Sequence, residues 1–292
     1  MRAGFAALSG RPNVGKSTLL NTLVGSKISI VTPRPQTTRH RVLGIVHHSA
    51  AQIAFVDTPG LQRTHRRALN RAMNRMAVAA MGDADVVVLV LEAGRFTPED
   101  EYALQRARAA RRPIIAVVNK IDRVRPRTRL LPQLQELHGR APFAAIVPIS
   151  ALRRENLTAL LDAIVAQLPQ SPSLFDSDML TDRDLRFRVA ETVREKLTLH
   201  LHQEVPYGIA TQVESLGERG QQRVASVAIW VDRPGHKAIV IGRQGERLKA
   251  IGRAARRELN RLTGARWHLD LWVKVRAGWA DEIQALRSLG LE

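Results

Sequence analysis

The chain has 292 residues, 45% of them hydrophobic, with 45 Lys and Arg against 27 Asp and Glu, a formal charge of +18. The absence of cysteine excludes a disulfide framework, a thiolate metal site and a cysteine nucleophile. No apolar run approaches the ~20 residues of a membrane span, and Met1–Phe5 leads into a glycine motif too soon for a signal peptide, so a cytoplasmic protein of about two domains is expected.

Residues 1–170 alternate short apolar runs with segments of helical spacing. The runs are Phe5–Leu8, Ile53–Val56, Val86–Leu91, Ile114–Val118 and Ala144–Pro148; the helical patterns include Ala68–Met81, Asp100–Ala110 and Asn156–Leu168. Such alternation predicts an α/β unit with a mostly parallel sheet covered on both faces. Pro169-Gln170-Ser171-Pro172-Ser173, followed by Asp176 and Asp178, marks a linker over 171–180. Residues 181–292 read as a second, α+β unit. A helix carries Ala190, Val193, Leu197 and Leu201 on one face. Strands follow at Tyr207–Leu216 and Val224–Val231, joined by a turn at Gly217–Gln222. Ala238–Ile241 leads into Gly242-Arg243-Gln244-Gly245, then a helix over Leu248–Leu262 and an alternating strand at 266–276. The predicted order is α-β-β-α-α-β.

Gly10-Arg11-Pro12-Asn13-Val14-Gly15-Lys16-Ser17-Thr18 follows a strand and opens a helix, as a phosphate-binding loop requires. Backbone N–H groups and the helix N-terminus there meet phosphate oxygens. Lys16 reaches the β- and γ-phosphates, and Ser17 offers an oxygen to Mg²⁺. Asp57-Thr58-Pro59-Gly60-Leu61 follows the next strand; Asp57 suits Mg²⁺ through water, and the Gly60 N–H suits a γ-phosphate. Asn119-Lys120-Ile121-Asp122 ends another strand, with Asp122 matched to the two N–H groups of guanine. Ser150-Ala151 ends the next, where backbone N–H groups suit the guanine oxygen. Four boxes at strand C-termini fit the ligand rule for open α/β sheets and predict GTP and GDP with Mg²⁺.

Between the first two boxes, Thr37 and Thr38 lie in a 33–48 segment read as a switch. Thr38 is favoured over Thr37 as the residue that completes the metal shell. Leu61 occupies the place where many Ras-like enzymes carry a water-orienting Gln. Hydrolysis is then slow, or the water is positioned by backbone, another residue, an ion or a partner. Resemblance to GTPases that carry Asn at this place implies that Asn13 is either a ligand to a monovalent cation such as K⁺ or a residue shaping its loop. Lys16, Thr38, Gly60 and Asn13 are the candidate catalytic residues.

Gly242–Gly245 within α-β-β-α-α-β is the arrangement of a type II KH domain, whose loop lets a nucleic-acid backbone approach closely. Lys237, Ile241, Gly242, Arg243, Gln244, Gly245 and Lys249 are the candidate RNA contacts. Ile241, Leu248 and Ile251 also read as core. Most of the basic surplus lies in residues 1–170, including runs at 63–75 and 106–129. It suits contact with a polyanion, although 38 of the 45 basic residues are Arg, a bias that GC-rich coding also produces.

Nearly the whole chain resembles the bacterial Era family. The likeness is carried by Gly10–Ser17, Pro35–Arg41, Asp57–Leu61, Asn119–Asp122, Pro148–Ala151, Val240–Gly245, Lys249–Gly252, Leu271–Val275, Gly278–Asp281 and Ala285–Gly290. The family also has a hydrophobic residue where Leu61 stands. Leu152–Asn156 departs from it, since Gly is common there. The resemblance implies a monomeric GTPase that assists assembly of the small (30S) ribosomal subunit. It implies binding to the 3′ region of 16S rRNA and peripheral association with the inner membrane. Two other readings compete: a GTPase component of a tRNA-modification system, which the absence of a redox or catalytic residue elsewhere disfavours, and a passive RNA-binding module whose nucleotide domain only binds.

Overall fold

The computed structural model describes residues 1–63, 67–202 and 205–291. Of the basic run 63–75, residues 64–66 therefore lie outside the described residues. The chain divides into two compact units, Met1–Arg66 with Asn70–Asp182, and Arg67–Leu69 with Arg183–Glu292.

The first unit is built on six strands: β1 (Arg2–Ser9), β2 (Val42–His48), β3 (Ala51–Asp57), β4 (Val86–Glu92), β5 (Ile114–Asn119) and β6 (Ala145–Pro148). Their order is β2-β3-β1-β4-β5-β6, and only β2 runs antiparallel to its neighbour. Its helices are α1 (Lys16–Val24), α2 (Ala68–Asp83), α3 (Pro98–Ala109), α4 (Leu131–Arg140) and α5 (Leu157–Gln167). Every residue of β3 and β4 is buried, as strands covered on both faces must be. Val87, Leu89 and Leu91 pack with Ala77 and Met81 of α2 and with Ala103, Leu104 and Ala107 of α3. This apolar layer holds the strand ends, and the loops leaving them, in fixed register.

Two elements differ from the sequence expectation. Residues 42–48, read as part of a switch, form β2, paired residue by residue with β3. The unassigned stretch before it shortens accordingly. Residues 171–182, read as containing the linker, are bound along the first unit. Gln52 Oε1 accepts from the Leu174 and Phe175 amides, Ile45 N donates to Leu180 O, and Phe175 meets Phe5 edge-on.

In the second unit, β7 (Ile209–Arg219) and β8 (Gln222–Val231) pair antiparallel, and β9 (Arg266–Val275) lies parallel to β8. The joining turn is only Gly220-Gln221, because the ladder continues to Arg219↔Gln222. Helices α6 (Leu185–His200), α7 (Pro234–Ile241) and α8 (Glu246–Thr263) complete α-β-β-α-α-β, and α9 (Ile283–Ser288) follows. Val189, Val193 and Leu197 of α6 share a core with Ile251, Ala255 and Leu259 of α8 and with Trp267 and Val273 of β9. Val275, on the same face of the alternating strand as Trp267 and Val273, is 40% exposed.

Candidate nucleotide and nucleic-acid sites

The loop from β1 to α1 borders a cavity of about 350 Å³. Pro12, Asn13, Gly15, Lys16, Ser17, Thr18, Thr38, Gly60 and Lys120 line it. Four oxygen-bearing side chains converge beside it. Ser17 Oγ donates to Asp57 Oδ2 at 2.7 Å and lies 2.7 Å from Thr38 Oγ1, and Ser29 Oγ donates to the same Asp57 oxygen at 2.9 Å. Thr37 also borders the cavity, but its hydroxyl is spent on the loop backbone, donating to Arg34 O at 2.7 Å. Asp57 is fully buried, and its Oδ1 has no protein partner. A buried carboxylate oxygen without a donor is costly, and a divalent cation removes that cost. The oxygen-only set fits Mg²⁺.

Lys16 is buried with its Nζ on Gly10 O and Arg11 O, each at 3.0 Å. Burial lowers its ammonium to about 8, and burial raises the Asp57 carboxyl above its ordinary value. Both groups are thus pushed towards their neutral forms. A phosphate chain beside Lys16 and a metal ion beside Asp57 would favour the charged forms of both. Gly60 faces Pro12 so closely that a Cβ there would lie 2.7 Å from Pro12 N. This contact needs glycine for space.

Several residues of the boxes have side chains engaged in building the loops. Val14, Pro59 and Leu61 are buried, and Thr58 Oγ1 donates to Leu8 O. Leu61 packs with Ala77, Met81 and Leu89, while its N–H donates to Gly10 O at 3.2 Å. The next side chain, Gln62, is engaged by Gln36 at 3.1 Å. Arg11 turns to Glu92 and Asp100. Asn13 donates its amide to Pro33 O at 3.0 Å.

At the other end of the cavity, Asn119 is a buried strut. Its Nδ2 donates to Val14 O at 2.9 Å and its Oδ1 accepts from Ala151 N at 3.0 Å. Ser150 Oγ donates to Asp122 Oδ1 at 2.5 Å, orienting the carboxylate expected to read guanine. The backbone N–H groups of Ser150 and Ala151, read as donors to the guanine oxygen, are already engaged by Glu155 O and Asn119 Oδ1.

Glu92 carries no motif in the sequence, yet it proves the most connected charge here. It accepts from Arg11, Arg95 and Lys120. Burial works against ionisation, but those hydrogen bonds hold its carboxyl down to about 2. An acid ending an apolar strand gives no local sign of this role; its partners come from three separate loops.

The second unit carries a separate basic groove of about 480 Å³, bounded by Gly245, Leu248, Lys249, Gly252, Arg253, Arg256, Leu269 and Leu271. Gly242 sits at φ 72 and Gln244 at φ 50, a sharp turn between α7 and α8. Of the predicted contacts, Gly245 and Lys249 border the groove. Arg243, Gln244 and Lys237 are exposed nearby in sequence, and Ile241 is half-buried against the core. Ile251 is core, whereas Leu248 is shared between core and groove. Arg253 and Arg256 are additions that the sequence reading misses. They follow Lys249 at helical spacing on one face of α8, a signal present in the sequence.

Residues 5–120 match the family described as "50S ribosome-binding GTPase", and residues 204–280 match "KH domain". The chain is 47% identical over 291 residues to the GTPase Era of Xanthomonas oryzae pv. oryzae, covering 100% of this chain and 97% of that one. It is 48% identical over 289 residues to that of Stenotrophomonas maltophilia (99% and 97%). The structure matches a point variant of Aquifex aeolicus Era bound to GDP·AlF4⁻ with TM-score 0.96 at 40% identity, covering 100% and 99% of the two chains. An Era crystal structure with MgGDPNP and nucleotides 1506–1542 of 16S ribosomal RNA matches equally, with the same coverage.

Proposed function

The chain belongs to the Era family of GTPases, and on that footing we propose that it is a GTP/GDP switch that binds the 3′ region of 16S rRNA and assists assembly of the small ribosomal subunit. The observation that carries this reading is a divided chemistry. The first unit gathers Ser17, Thr38 and the orphaned Asp57 oxygen beside a phosphate loop. The second presents a glycine turn beside a groove that bears the charges of Lys249, Arg253 and Arg256. A related structure holds both MgGDPNP and 16S nucleotides.

Ser17, Thr38 and Asp57 would hold Mg²⁺, which when bound neutralises charge on the β- and γ-phosphates. Lys16, in its buried place beside the loop, stabilises charge that develops on the transferred phosphoryl group. The Gly60 N–H follows the γ-phosphate, and Asp122, aimed by Ser150, selects guanine. Asn13 is the residue through which K⁺ would act: Pro33 O occupies its amide, and its side-chain carbonyl oxygen is the group suited to a monovalent cation. In the second unit Lys237, Gly242, Arg243, Gln244, Gly245 and Lys249 approach the RNA backbone, while Ile241 supports the loop from the core. Exposed Arg108 and Arg111 of the first unit add sequence-independent grip. A monomer with peripheral inner-membrane association completes the proposal on family resemblance; among the described residues no helix is long and apolar enough to cross a membrane. Crosslinking in cells followed by RNA sequencing tests the reading. Recovery of the 16S 3′ region supports it, and recovery of tRNA alone overturns it.

A further inference from the structure

Glu92 ends β4 directly beside Asn119 of β5 in the parallel register. Its side chain is 10% exposed. Oε2 accepts from Arg11 Nη2 at 2.7 Å and from Arg95, and Oε1 accepts from Lys120 Nζ at 2.9 Å. Arg11 is the second residue of the phosphate loop. Its Nε lies 3.1 Å from both oxygens of Asp100, which also caps α3 through Thr97. Lys120 belongs to the guanine box and donates again, to Asn13 O of the phosphate loop, at 2.6 Å. A single carboxylate is therefore tied both to the loop expected to hold phosphates and to the segment expected to hold the base.

A negative charge beside a polyanion site would by itself weaken phosphate binding. Its presence needs a compensating role. The fork of Arg11 and the point charge of Lys120 suit different geometry, and Glu92 is the group that fixes them relative to each other. We propose that Glu92 is a positioning residue for the guanine nucleotide, setting the spacing between the phosphate loop and the guanine box so that each half of the site is ordered by the other.

This rests on the first unit being a guanine-nucleotide site, so the full chain is first titrated with GDP in Mg²⁺ buffer. No GDP binding by the unaltered chain would defeat that reading, and this inference with it. Given binding, Glu92→Gln, Lys120→Met and the double variant are compared by GDP dissociation constant. Glu92→Gln should weaken GDP roughly 10-fold, and the double variant should be within about twofold of Lys120→Met, because the two act through one contact. Glu92→Asp, one methylene shorter, should not restore binding. A purely electrostatic role predicts the opposite sign, tighter GDP on removal of the negative charge. Unchanged or tighter binding by a folded Glu92→Gln chain, or fully additive penalties, would overturn the inference. Thermal melting shows whether Glu92→Gln is folded. If it is not, Arg11→Lys carries the test: it keeps the charge but loses the fork, and should weaken GDP to a similar degree, while wild-type affinity there would overturn the proposal.

Discussion

Ser17 of α1 and Thr38 of the segment before β2 bring their hydroxyl oxygens to 2.7 Å, with Asp57 behind them. Removing the Thr38 hydroxyl takes away one of the oxygens proposed to hold Mg²⁺. Thr38→Val should lower the rate of GTP hydrolysis by roughly 10²-fold and raise the Mg²⁺ concentration needed for half-maximal rate. Thr37→Val should change neither. Multiple-turnover phosphate release across a Mg²⁺ series distinguishes them; equal effects would remove Thr38 from the metal shell.

Asp122 and Ser150 test base selection. An amide in place of the Asp122 carboxylate presents donors to the guanine N–H groups, and xanthine becomes the better partner. Asp122→Asn should lose about 10²–10⁴-fold in GTP affinity and gain for xanthosine triphosphate. Ser150→Ala should cost much less, about 1 kcal/mol, since it only orients the carboxylate. Competition binding with both nucleotides decides; retained GTP preference in Asp122→Asn would count heavily against the assignment.

The two glycines of the turn in the second unit differ physically. A Cβ on Gly242 would lie 2.7 Å from Arg247 Cβ at φ 72, whereas Gly245, at φ 79, has open space. Gly242→Ala should destabilise this unit by about 2–5 kcal/mol, from left-handed strain plus overpacking. Gly245→Ala carries only the strain, about 1–2 kcal/mol. Urea unfolding monitored in the second unit, together with RNA affinity, should show that order, and equal losses would contradict the geometry.

Acid stability should depend on Glu92. Its carboxyl is held at about 2, below the ordinary 4.5, so the ion-pair contribution is present above about pH 4.5. It is lost as pH falls from 4.5 towards 2. The shift sets a ceiling of about 3 kcal/mol, which solvent screening of a partly open network reduces to roughly 1–2 kcal/mol. Denaturant unfolding from pH 6 to pH 2.5 should therefore fall more steeply for the natural chain than for Glu92→Gln. Parallel curves would mean the carboxylate is not held as described.

Arg108 and Arg111 are exposed at the end of α3, whereas Arg112 is occupied with Gly82 O. Replacing the first two by Gln should make the logarithmic salt dependence of subunit binding shallower by about 1.5, from roughly 0.7–0.9 for each lost phosphate contact. An unchanged slope would return these arginines to the compositional explanation.

The phosphate loop, the Asp57–Gly60 turn and Asn119–Asp122 are legible in the sequence because their chemistry demands particular residue types at fixed spacing beside recognisable strands. Other features are hidden for identifiable reasons. Gly44 and two histidines break the apolar run of β2, which pairing with β3 nonetheless holds as a strand. In α4, Pro132 and Gly139 mask a helix whose Leu137 is buried. The linker reads as polar and proline-rich, yet Gln52 captures its backbone. Glu92 illustrates the deeper limit: Arg95 is near it in sequence, but Arg11 and Lys120 reach it only after β1, β4 and β5 lie side by side.

Leu61 shows how packing constrains the residue after the Gly60 turn. Its side chain is anchored among Ala77, Met81 and Leu89 and is only 1% exposed. Installing glutamine there would place an amide in a dry interior, costing about 1–3 kcal/mol if left without partners, before it aided any water. A faster timer cannot be made by that one exchange; the backbone after Gly60 would have to be re-aimed as well. Leu61 is thus anchored by packing, and positioning the attacking water falls to backbone or to groups that reach the cavity from elsewhere.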